Sequence, residues 1–161
     1  MKEKLRGRDA FTYAFDNYTD TVYRVAVHNT SCPADAEDVT QEAMLKLLDK
    51  SRTFTDAEHL KAWLIRVTIN LCRNLNRSSG RTAELDENLA APETHPGESV
   101  LSYVKQLPEN YRNAIYLHYY EGYSAKEIAE ILSSRQNTVL SWLSRGREML
   151  REMMKGGFDG E

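Results

Sequence analysis

GYSAKEIAEILSSRQNTVLSWLSRGREMLREMM, residues 122 to 154, is the stretch whose reading decides the fold. Ser124 followed by Glu127 is an S-x-x-E capping box, a helix start in which each residue answers the other's backbone N–H. Ala125, Ile128, Ala129 and Leu132 then recur at helical spacing and predict a first helix with a narrow apolar stripe. The polar break Ser133-Ser134-Arg135-Gln136 separates it from a second pattern, with Val139, Leu143, Gly146, Leu150 and Met153 on its inner face. Two short helices closed by a tight turn are a helix-turn-helix unit, whose second helix fits a DNA major groove. A helix, a break and a helix also occur in any helical bundle. The outward residues Arg135, Gln136, Asn137, Thr138, Ser141, Trp142 and Arg145 favour the DNA reading, because most of them offer hydrogen bonds to base edges or phosphates. Trp142 is ambiguous between packing and contact.

Working outward from this unit, 161 residues with 41% apolar composition suit one domain or two small ones. The net charge of -3 hides an uneven distribution. Between Leu60 and Arg81 stand Lys61, Arg66, Arg73, Arg77 and Arg81 without an acid, while Thr82 to Ser102 holds Glu84, Asp86, Glu87, Glu93 and Glu98 without a base. With Pro92, Pro96 and Gly97 and few large apolar groups, residues 81–98 read as a flexible acidic linker. Cys32 and Cys72 are far apart and show no metal-site or disulfide pattern, so a reduced, cytoplasmic protein is expected. The charged start MKEKLRGRDAF lacks a signal-peptide apolar run, and no stretch has membrane-spanning length. His28, His59, His95 and His118 lie on unlike elements, with no nucleophile-base arrangement, metal spacing or glycine-rich phosphate loop, so neither an enzyme nor a cofactor or metal is expected.

Before the linker, Phe11, Phe15, Tyr18, Val22 and Val25 predict one core helix over Arg8 to Asn29. Pro33 opens a second, about Ala34 to Lys50, that hides Ala36, Val39, Ala43 and Leu47. Its other side gathers Asp38, Gln41, Glu42 and Leu45: either ordinary solvated surface or an acidic rim around an apolar anchor, suited to a basic partner. Ser51 to Glu58, with Phe54 alone among polar residues, reads as a loop. A third helix to Arg77 buries Leu60, Leu64, Val67, Leu71 and Leu75 and turns Trp63, Arg66, Asn70, Arg73, Asn74 and Arg77 to one side. Such a face is either a basic solvated surface or a single-strand nucleic-acid platform, with arginines for phosphates, asparagines for bases and an indole for stacking. Past the linker, a short helix carries Val100, Leu101, Val104 and Leu107, and another runs from Glu109 to Tyr120 with Tyr111, Ile115 and Tyr119 inside. Residues 156–161 read as a frayed tail.

In order along the chain, DAEDVTQEAMLKLL (35–48), FTDAEHLKAWLIRVTINLCRNLNR (54–77) and LPENYRNAIYLHYYEGYSAKEIAEIL (107–132) resemble the motifs of sigma-70 family factors of the extracytoplasmic-function type. The resemblance covers about Phe11 to Met154. It implies an all-α protein of two small helical domains, residues 1–80 for core polymerase and minus-ten DNA and residues 99–155 for minus-thirty-five DNA, without catalysis of its own. It further implies that Asp38, Gln41, Glu42 and Leu45 meet core RNA polymerase. Trp63, Arg66, Asn70, Arg73, Asn74 and Arg77, with Phe54 in the loop before them, would handle the melted minus-ten strand of promoter DNA. Arg135 to Arg145 would read the minus-thirty-five duplex, the linker would thread into polymerase channels, and an anti-sigma factor would be a further partner. Where the family commonly has T-V-K-S-R-L-x-R-A-R, this chain has Leu140 and Trp142 in place of two cations, which weakens phosphate contacts. A stand-alone helix-turn-helix regulator, or a sigma-like adaptor or decoy, are the rival readings.

Overall fold

The computed structural model describes residues 4–78 and 100–159, of which 156–159 by backbone alone. The chain divides into two compact units, Met1–Gly80 and Arg81–Glu161. The acidic segment read as a linker lies outside the described residues.

The first unit is three helices with a small strand pair. Strand β1 (Leu5–Arg6) leads into helix α1 (Gly7–His28). Helix α2 (Pro33–Leu45) follows, with Pro33 in its first turn, and a 3-10 turn (Lys46–Leu48) ends it earlier than Lys50. Strand β2 (Thr53–Phe54) pairs antiparallel with β1, Leu5 opposite Phe54, within what the sequence reads as loop. Helix α3 (Ala57–Ser78) completes the unit.

Small residues set how closely these helices approach. Ala10, Ala14 and Ala26 of α1 and Ala36 and Ala43 of α2 are fully buried, and the larger Leu47, Phe54, Leu60 and Leu64 fill the space they leave. The inner stripe of α1 therefore runs through its alanines and Val22 and Val25, and Phe15 is not part of it. Phe15 is 60% exposed and stacks on Phe11 with ring centroids 6.2 Å apart. On α3, Ile65, Ile69 and Cys72 are buried beside Leu60 and Leu64, while Val67, Leu71 and Leu75 are half-buried against the two core clusters. Buried hydroxyls are satisfied within their own helices: Thr68 donates to the Leu64 carbonyl at 2.6 Å and Thr40 to that of Ala36 at 2.7 Å.

The second unit contains α4 (Val100–Lys105), α5 (Glu109–Tyr119), α6 (Ala125–Leu132) and α7 (Gln136–Asp159). Helix α5 is packed by α4, α6 and α7, so Asn113 through Leu117 are all buried. Tyr119, expected inside, is instead 53% exposed and accepts a hydrogen bond from Arg147 Nη1 at 3.1 Å. The chain turns at Gly122, whose φ of +79° is open to glycine at little cost. Helix α7 is not short: it continues past Lys155 to Asp159, through residues read as a tail.

Where α7 crosses α5, Gly146 is needed for close approach. A Cβ there would stand 2.8 Å from Ile115 Cγ1 and 3.1 Å from its Cδ1, and Ile115 is fully buried. Gly146→Ala should therefore lose about 1 to 2 kcal/mol of stability, because overpacking outweighs the gain of about 1 kcal/mol in helix propensity. In an Ile115→Ala background the colliding atoms are gone, and the same substitution should be stabilising. Thermal unfolding of the four proteins of this cycle measures the sign change.

Candidate nucleic-acid and partner surfaces

Helix α2 packs Ala36, Val39, Thr40, Ala43 and Met44 inward, and this fixes what it shows to solvent. Asp38, Gln41, Glu42 and Leu45 are all exposed on the other side, Leu45 at 59%. The 3-10 turn adds Leu48, 45% exposed, a residue the sequence reading missed although it stands three positions after Leu45. The surface is an acidic helix face ending in two exposed leucines.

The broad face of α3 begins with a capped helix start. Asp56 Oδ1 accepts the His59 backbone N–H at 2.9 Å, and His59 Nδ1 accepts the Thr55 N–H at 3.1 Å. Phe54, expected in the loop before this face, lies beneath this turn. It is 1% exposed, held by the β1–β2 pairing, and meets the rings of Trp63 at 5.2 Å and His59 at 5.3 Å edge-on. A side chain so enclosed supports the surface from beneath. Trp63, half-buried against it, has the Arg52 guanidinium 4.9 Å from its ring centroid, a cation–π contact between a loop residue and a helix residue.

Beyond Trp63, Arg66, Asn70, Asn74 and Arg77 are exposed and Arg73 is half-buried. Arg73 Nη1 donates to Asn70 Oδ1 at 3.5 Å, which orients the amide along the face. From Trp63 to Arg77 the array spans about 21 Å at 1.5 Å rise per residue, room for several nucleotides of an extended strand. It offers cations, amides and one aromatic ring, and no acid.

In the second unit the capping box is formed. The Glu127 N–H reaches Ser124 Oγ at 3.1 Å, and the Ser124 N–H reaches Glu127 Oε1 at 2.9 Å. Hydrogen bonds from the Ser124 backbone and then its hydroxyl hold the Glu127 carboxyl below its ordinary value. Such a depressed carboxylate stabilises the fold above the ordinary glutamate range and stops doing so as pH falls through its folded value. Ser124→Ala should cost about 1 kcal/mol at neutral pH, and the deficit should narrow on acidification. Hydrogen exchange of the Glu127 amide at pH 7 and pH 4 checks both points.

Helix α6 ends at Ser133 in the left-handed region, φ 54°, with the Ser134 N–H donating to the Ala129 carbonyl at 2.8 Å. Helix α7 starts after this turn, anchored by buried Val139 and Leu143. Arg135, Gln136, Asn137, Ser141 and Arg145 are consequently exposed, while Thr138 and Trp142 are half-buried. Leu140 is 48% exposed among the polar residues.

Among the described residues, no group of three or more His, Cys, Asp and Glu could hold a metal, and no helix is long and apolar enough to cross a membrane. Cys32 is exposed and Cys72 is buried, and neither is in a disulfide.

Comparison with known proteins gives the same two-part division. The family model of Sigma-70 region 2 matches residues 14–82, and that of Sigma-70, region 4 matches residues 97–150. The ECF RNA polymerase sigma factor SigW of Bacillus subtilis is 28% identical over 96% of this chain and 95% of its own length. The ECF RNA polymerase sigma factor BldN of Streptomyces coelicolor is 28% identical over 91% of this chain, which spans 61% of BldN. In fold, the sigma factor RpoE of Bartonella quintana, solved with the anti-sigma factor NepR, matches at a TM-score of 0.72 and 24% identity over 90% of this chain and 96% of that one. With both regions matched in order over more than half of its 161 residues, the chain belongs to the sigma-70 family, in its extracytoplasmic-function group of RNA polymerase sigma factors.

Proposed function

We propose that this sigma factor docks on core RNA polymerase through α2, captures the melted minus-ten strand on the Trp63–Arg77 face of α3, and reads minus-thirty-five duplex with the first half of α7. One observation carries this assignment of surfaces. A single chain displays two differently built helix faces in separate units, one with cations, amides and an indole, the other a helix-turn-helix with polar outward residues. The first suits unstacked bases and the second suits base edges in a groove. A regulator needing only the helix-turn-helix leaves the first face without a role.

The mechanism is energetic and involves no covalent step by this protein. Unpairing the minus-ten region costs free energy, and each base stacked on an aromatic returns about 1 to 3 kcal/mol. Phosphate contacts from Arg66, Arg73 and Arg77 add a term that weakens with salt. Work of this kind belongs in the cytoplasm, with the polymerase. An anti-sigma factor, a partner the family resemblance implies, would act by covering these faces.

Transcription by core polymerase with and without the chain, on promoters selected from random DNA by the reconstituted holoenzyme, tests the reading. A promoter-specific transcript that requires the chain is expected. Polymerase binding without any such transcript would support an adaptor instead, and tight specific DNA binding without polymerase would support a stand-alone regulator.

A further inference from the structure

Leu140 stands on α7 three residues after Asn137 and four before Ser144, and both of these are exposed. Its own side chain is 48% exposed, although Val139 and Leu143 on either side are buried. It is the one large apolar side chain left exposed on α7 among the described side chains, and its neighbours on that face, Gln136, Asn137, Ser141, Ser144 and Arg145, are all polar. Single exposed leucines are ordinary on a protein surface. This one sits in the middle of the surface that the helix-turn-helix offers to a major groove, where its solvent exposure would end on binding.

A leucine brings no donor, acceptor or charge into the groove. The one apolar feature on a base edge there is the C5-methyl of thymine. Cytosine, adenine and guanine would leave Leu140 against groups that lose water without gaining a partner. We infer that Leu140 is a specificity-determining residue that selects a thymine of the minus-thirty-five element by packing on its C5-methyl. The geometry also places the reader next to it. Three residues advance about 4.5 Å along a helix, somewhat more than one base-pair step of about 3.4 Å. Asn137 therefore faces the neighbouring base pair, where an amide suits adenine.

This inference rests on the proposed duplex-reading role of α7, and the experiment separates the two. The holoenzyme is assayed on its selected promoter with each thymine of the minus-thirty-five element, on either strand, replaced singly by deoxyuridine, which removes only the methyl. One position should lose about fourfold in transcript, the worth of one buried methyl. Leu140→Ala and Leu140→Lys should each be indifferent to the same replacement while still transcribing from the promoter. Indifference of the unaltered protein to every deoxyuridine, in a promoter that still fails when the element is scrambled, overturns the inference and leaves the duplex-reading role standing. Sensitivity that persists unchanged in both variants assigns the methyl to another residue and also overturns it, as does an element without thymine. A promoter indifferent to scrambling would remove the duplex-reading role itself.

Discussion

Asp38→Arg combined with Leu45→Ala should weaken binding to core RNA polymerase by more than a hundredfold while leaving helix content and unfolding temperature nearly unchanged. The side chains are both on the exposed side of α2, opposite its buried alanines, so the fold does not depend on them. Their loss affects binding through different terms. Leu45, 59% exposed, is the apolar anchor at the end of this face, and truncating such an anchor costs about 2 kcal/mol at a partner interface. Asp38 lies on the rim, where reversing a charge slows encounter and adds about 1 kcal/mol or more of repulsion. Together about 3 kcal/mol corresponds to rather more than a hundredfold. The two parts separate with salt: raising ionic strength should shrink the Asp38 effect as the screening length contracts, and leave the Leu45 effect in place. Titration of labelled polymerase at low and high salt measures this, and unchanged affinity in the double variant would remove α2 from the docking surface.

That face was legible in the sequence because one helix carries its own contrast. Ala36, Val39 and Ala43 recur on one side of α2, so Asp38, Gln41, Glu42 and Leu45 had to lie on the other. The same logic found the amides and arginines of α3 and both faces of the helix-turn-helix. It failed where size was taken for depth. Phe15 looks like core beside Ala10 and Ala14, yet close helix packing selects the alanines and leaves the larger ring outside. It failed for Tyr119 because a spacing of four drifts by about 40° per step around a helix, and because α5 is enclosed by three helices. Phe54 and Arg52 were beyond local reasoning altogether. One is buried by pairing with Leu5, the other is defined by a loop-to-helix contact with Trp63, and neither partner is near in sequence. Gly156 and Gly157 suggested an end to α7 by their low helix propensity, which the continuing helix overrides.

On α3 the decisive variants are Asn70→Ala and Trp63→Ala, each expected to reduce promoter opening by about tenfold to a hundredfold with little loss of closed complex. Stacking and amide–base contacts of about 1 to 3 kcal/mol apiece set that range. Asn70 is exposed and its side-chain hydrogen bond with Arg73 is on the surface, so its loss should leave the fold nearly unchanged. Trp63 also packs on buried Phe54, so Trp63→Phe, which keeps a flat ring over that support, should retain most of the activity if stacking is the cause. Arg52 lies over the indole and competes with an incoming base. An exposed cation–π contact is worth about 0.5 to 1 kcal/mol, less than a stacked base, so the base displaces the guanidinium and Arg52→Ala should change opening by no more than about fivefold. Permanganate reactivity of unpaired thymines reports opening, and binding at low temperature reports the closed complex. Equal losses in the two assays would mean that the face holds duplex phosphates only. A template already mismatched across the minus-ten region provides the remaining discrimination. There the unpairing cost is absent, so an Asn70→Ala protein that fails only because it cannot offset that cost should recover transcription, whereas one impaired in general DNA affinity should not.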